Sequence, residues 1–154
     1  MRAFFAVAVL LCSAGAMAGE TMTIKTTIRF GEAVSVNTGS NTMAGGGVSE
    51  SDSQVVYSSG QKATQKVKCA GWSAAPGSGF TDEGVCEFSE GANDKGTVQF
   101  SCIGDAKTRA ADCWGAVRGV AGRFAGKTGN ITWHQVNSAD QKTGTANGVG
   151  FWND

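Results

Sequence analysis

"TMTIKTTIRF", Thr21 to Phe30, alternates in a way that only one kind of backbone explains. Met22, Ile24, Ile28 and Phe30 fall on one side of an extended chain, and Thr23, Lys25, Thr27 and Arg29 fall on the other. Successive side chains of a strand point to opposite faces, so this is a strand with one buried and one wet face. The pattern recurs outward along the chain in "SQVVYSS", "TQKVKCAGW", "GVCEFSE", "GTVQFSC", "DCWGAVRG", "NITWHQV" and "GTANGVGFW". Each run is bounded by Gly, Asn, Asp or Ser. Short strands at this spacing predict an all-β chain: an antiparallel barrel of about eight strands, with a β-sandwich as the alternative.

The links between the runs are partly legible. "GANDKG", Gly91 to Gly96, offers Asn93, Asp94 and Gly96 as turn formers and joins two runs into a hairpin. A calcium loop on Glu90, Asn93 and Asp94 is disfavoured, because the alternating oxygen ligands and closing glutamate of an EF-hand are missing. "SNTMAGGGVSESDS", Ser40 to Ser53, reads as a mobile loop or frayed edge strand. "GDAKTRAADC", Gly104 to Cys113, reads as a long polar loop with at most one helical turn.

The chain opens "MRAFFAVAVLLCSAGAMAGE", with Arg2, an apolar run over Ala3 to Leu11, and small residues at Ala16 and Ala18. That is the pattern of a secretory signal peptide over residues 1–18, leaving residues 19–154 as one β-barrel domain. A lipid anchor at Cys12 is disfavoured by Leu11, which stands where a small residue is needed. No later run reaches the roughly 18 apolar residues of a spanning helix, so an exported protein, periplasmic or secreted and without a membrane span, is expected. Removing the leader takes Arg2 from thirteen basic residues and nothing from thirteen acidic ones, which leaves a net charge near −1. Without a basic field or stripe, nucleic acid is an unpromising partner.

Cys69, Cys86, Cys102 and Cys113 survive cleavage, and in an exported chain an even count reads as two disulfides. Three pairings are open; Cys69 with Cys86 and Cys102 with Cys113 is the one expected. No close cysteine pair exists and His134 is the sole histidine, so neither a zinc site nor any other metal site is expected. No cofactor motif is present. "GVAGRFAGKTGNITW", Gly119 to Trp133, holds "GKT", but the position five before Gly126 is Ala121, and a strand follows where a phosphate loop needs a helix. Its glycines are read as bending a hairpin.

This hairpin resembles the glycine-rich hairpin, roughly GGTGxFxGxxG, of allene oxide cyclase and dirigent-type barrels and of small exported bacterial proteins that share it. The resemblance extends to a CxG strand, Cys69 to Gly71, before a GxC strand, Gly84 to Cys86, and covers about Lys66 to Trp133. Val120 and Ala121 depart from the motif's glycine and threonine. It implies an eight-stranded antiparallel barrel with an inner cavity. It does not carry the cyclase activity, none of whose residues can be placed here.

Candidates for chemistry are few. His134 lies on the face opposite Ile131 and Trp133, which is the solvent face if those two are buried. Asp82 and Glu83 read as solvated loop charges, and Arg118, Arg123 and Lys127 could together hold an anion. Trp72, Trp114, Trp133 and Trp152 are the candidate ligand-binding residues, since aromatic walls line barrel cavities as readily as they fill cores. With no defensible inward acid, base or metal cluster, the expected function is a non-enzymatic binding module for a small apolar or amphipathic ligand. An isomerase or cyclase acting in the cavity, and a structural or surface interaction protein, are the alternatives.

Overall fold

In the computed structural model, residues 19–37, 43–74 and 79–153 are described, so the expected leader over residues 1–18 lies outside them. The chain forms β1 (Thr21–Asn37), β2 (Met43–Tyr57), β3 (Lys62–Ser73), β4 (Asp82–Glu90), β5 (Asp94–Asp105), β6 (Ala110–Ala121), β7 (Thr128–Asn137) and β8 (Thr143–Asn153). One short 3₁₀ turn, η1 (Gly122–Phe124), sits between β6 and β7.

Every strand pairs antiparallel with its neighbour in sequence, and β8 returns to pair with β1, so the sheet closes as an eight-stranded barrel. That closure settles the choice against a sandwich. The closing ladder runs from Thr21 opposite Phe151 to Arg29 opposite Thr143. Met22, Ile24 and Ile28 of the alternating stretch are buried and Thr23, Lys25, Thr27 and Arg29 exposed, as the period requires. Met22 and Ile24 cluster in the core with Val55, Tyr57, Phe88, Val98, Val117, Phe124 and Trp152 among others.

Two stretches are more ordered than their composition suggests. Of Ser40–Ser53, the described residues Met43–Ser53 form the larger part of β2, and Ser51 and Ser53 are buried inside the barrel. The strand escapes recognition because its inward positions there are serine and glycine, which leave no apolar alternation to read. The polar segment Gly104–Cys113 is mostly strand, with a tight turn between Asp105 and Ala110. The Asp105 carboxylate accepts the Lys107 backbone N–H at 2.8 Å, and Arg109 takes φ +57°, so local turn chemistry replaces the expected long loop.

Both expected disulfides are present, Cys69–Cys86 between β3 and β4 and Cys102–Cys113 between β5 and β6. Each joins residues directly opposite one another in its ladder, with Cα atoms 4.0 and 4.1 Å apart. No helix among the described residues is long and apolar enough to cross a membrane. The outer faces of β1 to β3 carry Lys25, Arg29, Glu50, Lys66 and Lys68. Asp52 there bridges Arg29 at 3.0 Å and Lys66. Such charges would cost up to several kcal/mol each in hydrocarbon, so this side of the barrel faces water.

Candidate ligand cavity

Alternation places every second residue inside, and the inward side chains leave a cavity of about 120 Å³. Its walls are largely apolar, with Met22, Ile24, Val98, Val117 and Ile131 beside Phe88, Phe100, Trp133 and Trp152. The exception is a row created by register. Gln135 pairs with Ala146, Ala146 with Thr26, Thr26 with Ser53, Ser53 with Gln65, Gln65 with Glu90, and Glu90 with Asp94. Directly opposed residues share a face, so one row, polar except at Ala146 on β8, crosses the interior from β7 through β8, β1, β2 and β3 to β4 and β5. Thr26 Oγ1 and Ser53 Oγ are hydrogen-bonded at 2.8 Å, and Gln135 donates to Asn137 Oδ1 at 2.8 Å.

The row ends in a plug. Phe124 of η1 is 1% exposed and stacks on Trp152, itself 1% exposed, with centroids 4.9 Å apart. Arg123 lays its guanidinium over the Tyr57 and Phe124 rings at 4.4 and 4.6 Å and donates to Glu90 Oε1 at 2.6 Å. Its backbone N–H donates to Asp94 Oδ1 at 2.8 Å. Tyr57 donates its hydroxyl to Glu90 Oε2 at 2.7 Å, and Gln65 Nε2 donates to Tyr57 Oη at 3.1 Å and Glu90 Oε2 at 3.2 Å. Burial first, and then the Glu90 carboxylate, push the Tyr57 phenol far above its ordinary range and keep it un-ionised. Away from this end Phe100, Trp133 and Gln135 are half-buried, next to the buried Ile28, Cys102 and Cys113.

The glycine hairpin serves the plug. A Cβ at Gly119 would stand 1.6 Å from the Phe124 carbonyl oxygen, so η1 folds back against β6 only because that position has no side chain. Gly126 closes the turn at φ +79°. Arg123 is turned to Glu90 and Asp94, which removes it from the anion site considered with Arg118 and Lys127.

Of the four candidate tryptophans, Trp133 and Trp152 line the cavity. Trp72 and Trp114 do not: they are 46% and 39% exposed on the outer surface, where Trp114 meets Phe80 edge-on at 5.2 Å. The cause is parity. Cys69 and Cys113 point inward, so a tryptophan one or three positions later in the same strand must point outward. His134 is on the outer face, as read from "NITWHQV", and its Nδ1 lies 2.7 Å from Asp112 Oδ1. Asp82 and Glu83 open β4 as consecutive strand residues, so they face opposite ways and cannot work as a pair.

The polar groups inside, Thr26, Ser51, Ser53, Gln65 and Gln135, were not singled out from the sequence. The available signal was that Ser51 and Ser53 share the parity of Val55 and Tyr57. Compared with protein-family models and with curated proteins, the chain matches none.

Proposed function

We propose that the protein is an exported binding module that takes one small, mainly apolar molecule into the barrel and leaves it chemically unchanged. The observation that carries this reading is the preformed cavity of about 120 Å³, closed at one end by the aromatic plug and lined by Trp133 and Trp152. An apolar cavity of about 150 Å³ is enough to take up benzene, so the occupant is of single-ring size. The polar groups nearest the plug support binding over catalysis. Tyr57, Glu90 and Arg123 are bonded to one another and so are not poised to exchange protons with a guest.

Export is part of the proposal. The leader-like opening stretch and two disulfides both suit an oxidising compartment outside the cytoplasm. The likeness of the glycine hairpin to allene oxide cyclase and dirigent-type barrels is retained as part of this reading, for architecture and not for activity.

Burying about 200 Å² of a single ring at about 25 cal/mol per Å² contributes about 5 kcal/mol before immobilisation is counted. The expected Kd is therefore about 1 mM for a purely apolar guest, since 1 mM corresponds to about 4 kcal/mol. The test uses Trp72→Phe/Trp114→Phe, which leaves the two cavity tryptophans as reporters. Titration with toluene, phenol and cyclohexanol should change the emission saturably, and native mass spectrometry of protein purified from its own host should show an adduct. Linear, non-saturating responses to all three would refute the proposal.

A further inference from the structure

We infer that the cavity selects a neutral hydroxyl compound, an alcohol or phenol with a compact apolar body, and that Gln65 is the side chain that reads the hydroxyl. This rests on the binding function proposed above and adds the chemical class of the guest.

Gln65 is 6% exposed and lines the cavity. A side-chain amide is nearly symmetrical in shape, so which end faces a guest is usually open. Here the surroundings decide it. Glu90 is held by the Arg123 guanidinium at 2.6 Å and offers Gln65 an acceptor, so the amide must present Nε2 to it. A flipped amide would set its carbonyl oxygen against a carboxylate oxygen. Nε2 faces both Glu90 Oε2 and Tyr57 Oη, which are themselves hydrogen-bonded to each other. The carbonyl Oε1 accepts no hydrogen bond from the described residues, which makes it a fixed acceptor with no donor of its own. Gln135 carries no such argument, because its partner Asn137 is itself an amide and either could be turned.

Beside Gln65 in the row stands Ser53, whose hydroxyl shares one hydrogen bond with Thr26. Two hydroxyls joined by one bond keep one hydrogen free to donate. The wall thus offers an acceptor that needs a donor and, in the adjoining Thr26–Ser53 pair, a donor that needs an acceptor. A hydroxyl group supplies both. Among the described residues, no Lys, Arg, Asp or Glu lines the cavity. An ionised carboxylate or ammonium would lose its water there and gain no counter-charge, so the guest must be neutral.

The experiment measures phenol, cyclohexanol, toluene and benzoate at pH 7 on the Trp72→Phe/Trp114→Phe protein, with and without Gln65→Met. Gln65→Met removes the acceptor, keeps the volume, and leaves Glu90 its bonds to Arg123 and Tyr57. Phenol and cyclohexanol should bind, the better of them showing whether the natural guest is aromatic or aliphatic. Benzoate should not bind at concentrations that saturate phenol. The ratio of phenol to toluene affinity should fall about tenfold in Gln65→Met, the worth of one hydrogen bond, while toluene affinity holds. Comparing ratios cancels the different hydration of the two ligands. Should Gln65→Met not fold, the Gln65 side-chain amide signals of the parent protein decide instead: they should shift with phenol and not with toluene. An unchanged ratio, unmoved amide signals or tight benzoate binding would overturn the inference while leaving the binding function intact. Failure of every compound to bind would remove the binding function itself.

Discussion

Tyr57 is the chain's sole tyrosine, which makes the plug's electrostatics directly observable. Its phenol stays protonated in the fold because burial and the Glu90 carboxylate both oppose ionisation. A raised folded-state pKa means the contribution to stability is complete below the unfolded value of about 10 and is lost as pH rises above it. Absorbance at 295 nm should therefore show no tyrosinate in the native protein until it unfolds, and an ordinary titration near pH 10 in denaturant. A native titration at that same pH would contradict the buried Tyr57–Glu90 bond. The aspartates behave in the opposite sense. The Lys66 and Arg29 hydrogen bonds hold Asp52 below the usual carboxylate range, and the Ser138 hydroxyl and Lys142 N–H do so for Asp140. Their contributions are present above the unfolded pKa and disappear as pH falls through the folded one, so carboxyl NMR titrations should place both midpoints below about 3.9. Arg123→Met tests the remaining charge. It leaves Glu90, only 11% exposed in its side chain, facing Tyr57 and Gln65 without its cation. A destabilisation of about 2–4 kcal/mol in urea melts is expected, below that of a fully buried pair because Arg123 is part-exposed.

At the scale of elements, the β6–β7 hairpin and η1 act as one unit, and its glycines are not equivalent. Gly119 donates its N–H to the Lys127 carbonyl at 2.8 Å while Phe124 packs across it. Gly119→Ala must push η1 away from β6, unseating Phe124 from Trp152, at a cost of at least about 3 kcal/mol with altered near-ultraviolet circular dichroism. Gly126→Ala meets no atom within 4 Å and bears only the left-handed backbone penalty of about 1 kcal/mol. Equal effects in urea denaturation would show that η1 is not pressed against Gly119. Strand identity itself came from local alternation, and it failed in two stretches whose inward positions lack apolar bulk. Gly45, Gly47, Ser49, Ser51 and Ser53 hide β2, and Gly104 and Ala111 hide the meeting ends of β5 and β6.

For the molecule as a whole, the two disulfides staple neighbouring strands, while the closure between β1 and β8 depends on the ladder alone. They enclose sequence separations of 17 and 11 residues, for which the chain-entropy model assigns about 3 kcal/mol each. Cys102→Ala/Cys113→Ala should keep the barrel and shift the urea midpoint down by that amount. Unreduced peptide mapping of the parent should yield the Cys69–Cys86 and Cys102–Cys113 peptides. The β1–β8 ladder joins the first and last strands of the described chain, the greatest sequence separation in the sheet, and its closure should hold folding to milliseconds to seconds.

Period-two alternation, turn residues at the gaps and an even cysteine count are local or compositional facts, and they were enough to expect an all-β chain, a barrel ahead of a sandwich, and the two disulfide pairings found; the order of the strands around the barrel came only from the structure. The hairpin glycines could likewise be read as conformational from their spacing and from the strand pattern that follows them. The site could not be read this way. Whether Trp72 or Trp133 faces the cavity depends on which parity of its own strand is inside; for Trp72 the Cys69–Cys86 disulfide sets that parity once its inward placement is known, and β7, which carries Trp133, has no cysteine. The row from Gln135 through Thr26, Ser53 and Gln65 to Glu90 depends on the register of every ladder from β7 around to β4. A slip of one residue in any of them would turn part of the row to the outer face. Alternation along one strand is written in that strand's own residues, whereas register is fixed only when the sheet closes, and so the cavity and the side chain that reads its guest were decided by the tertiary structure.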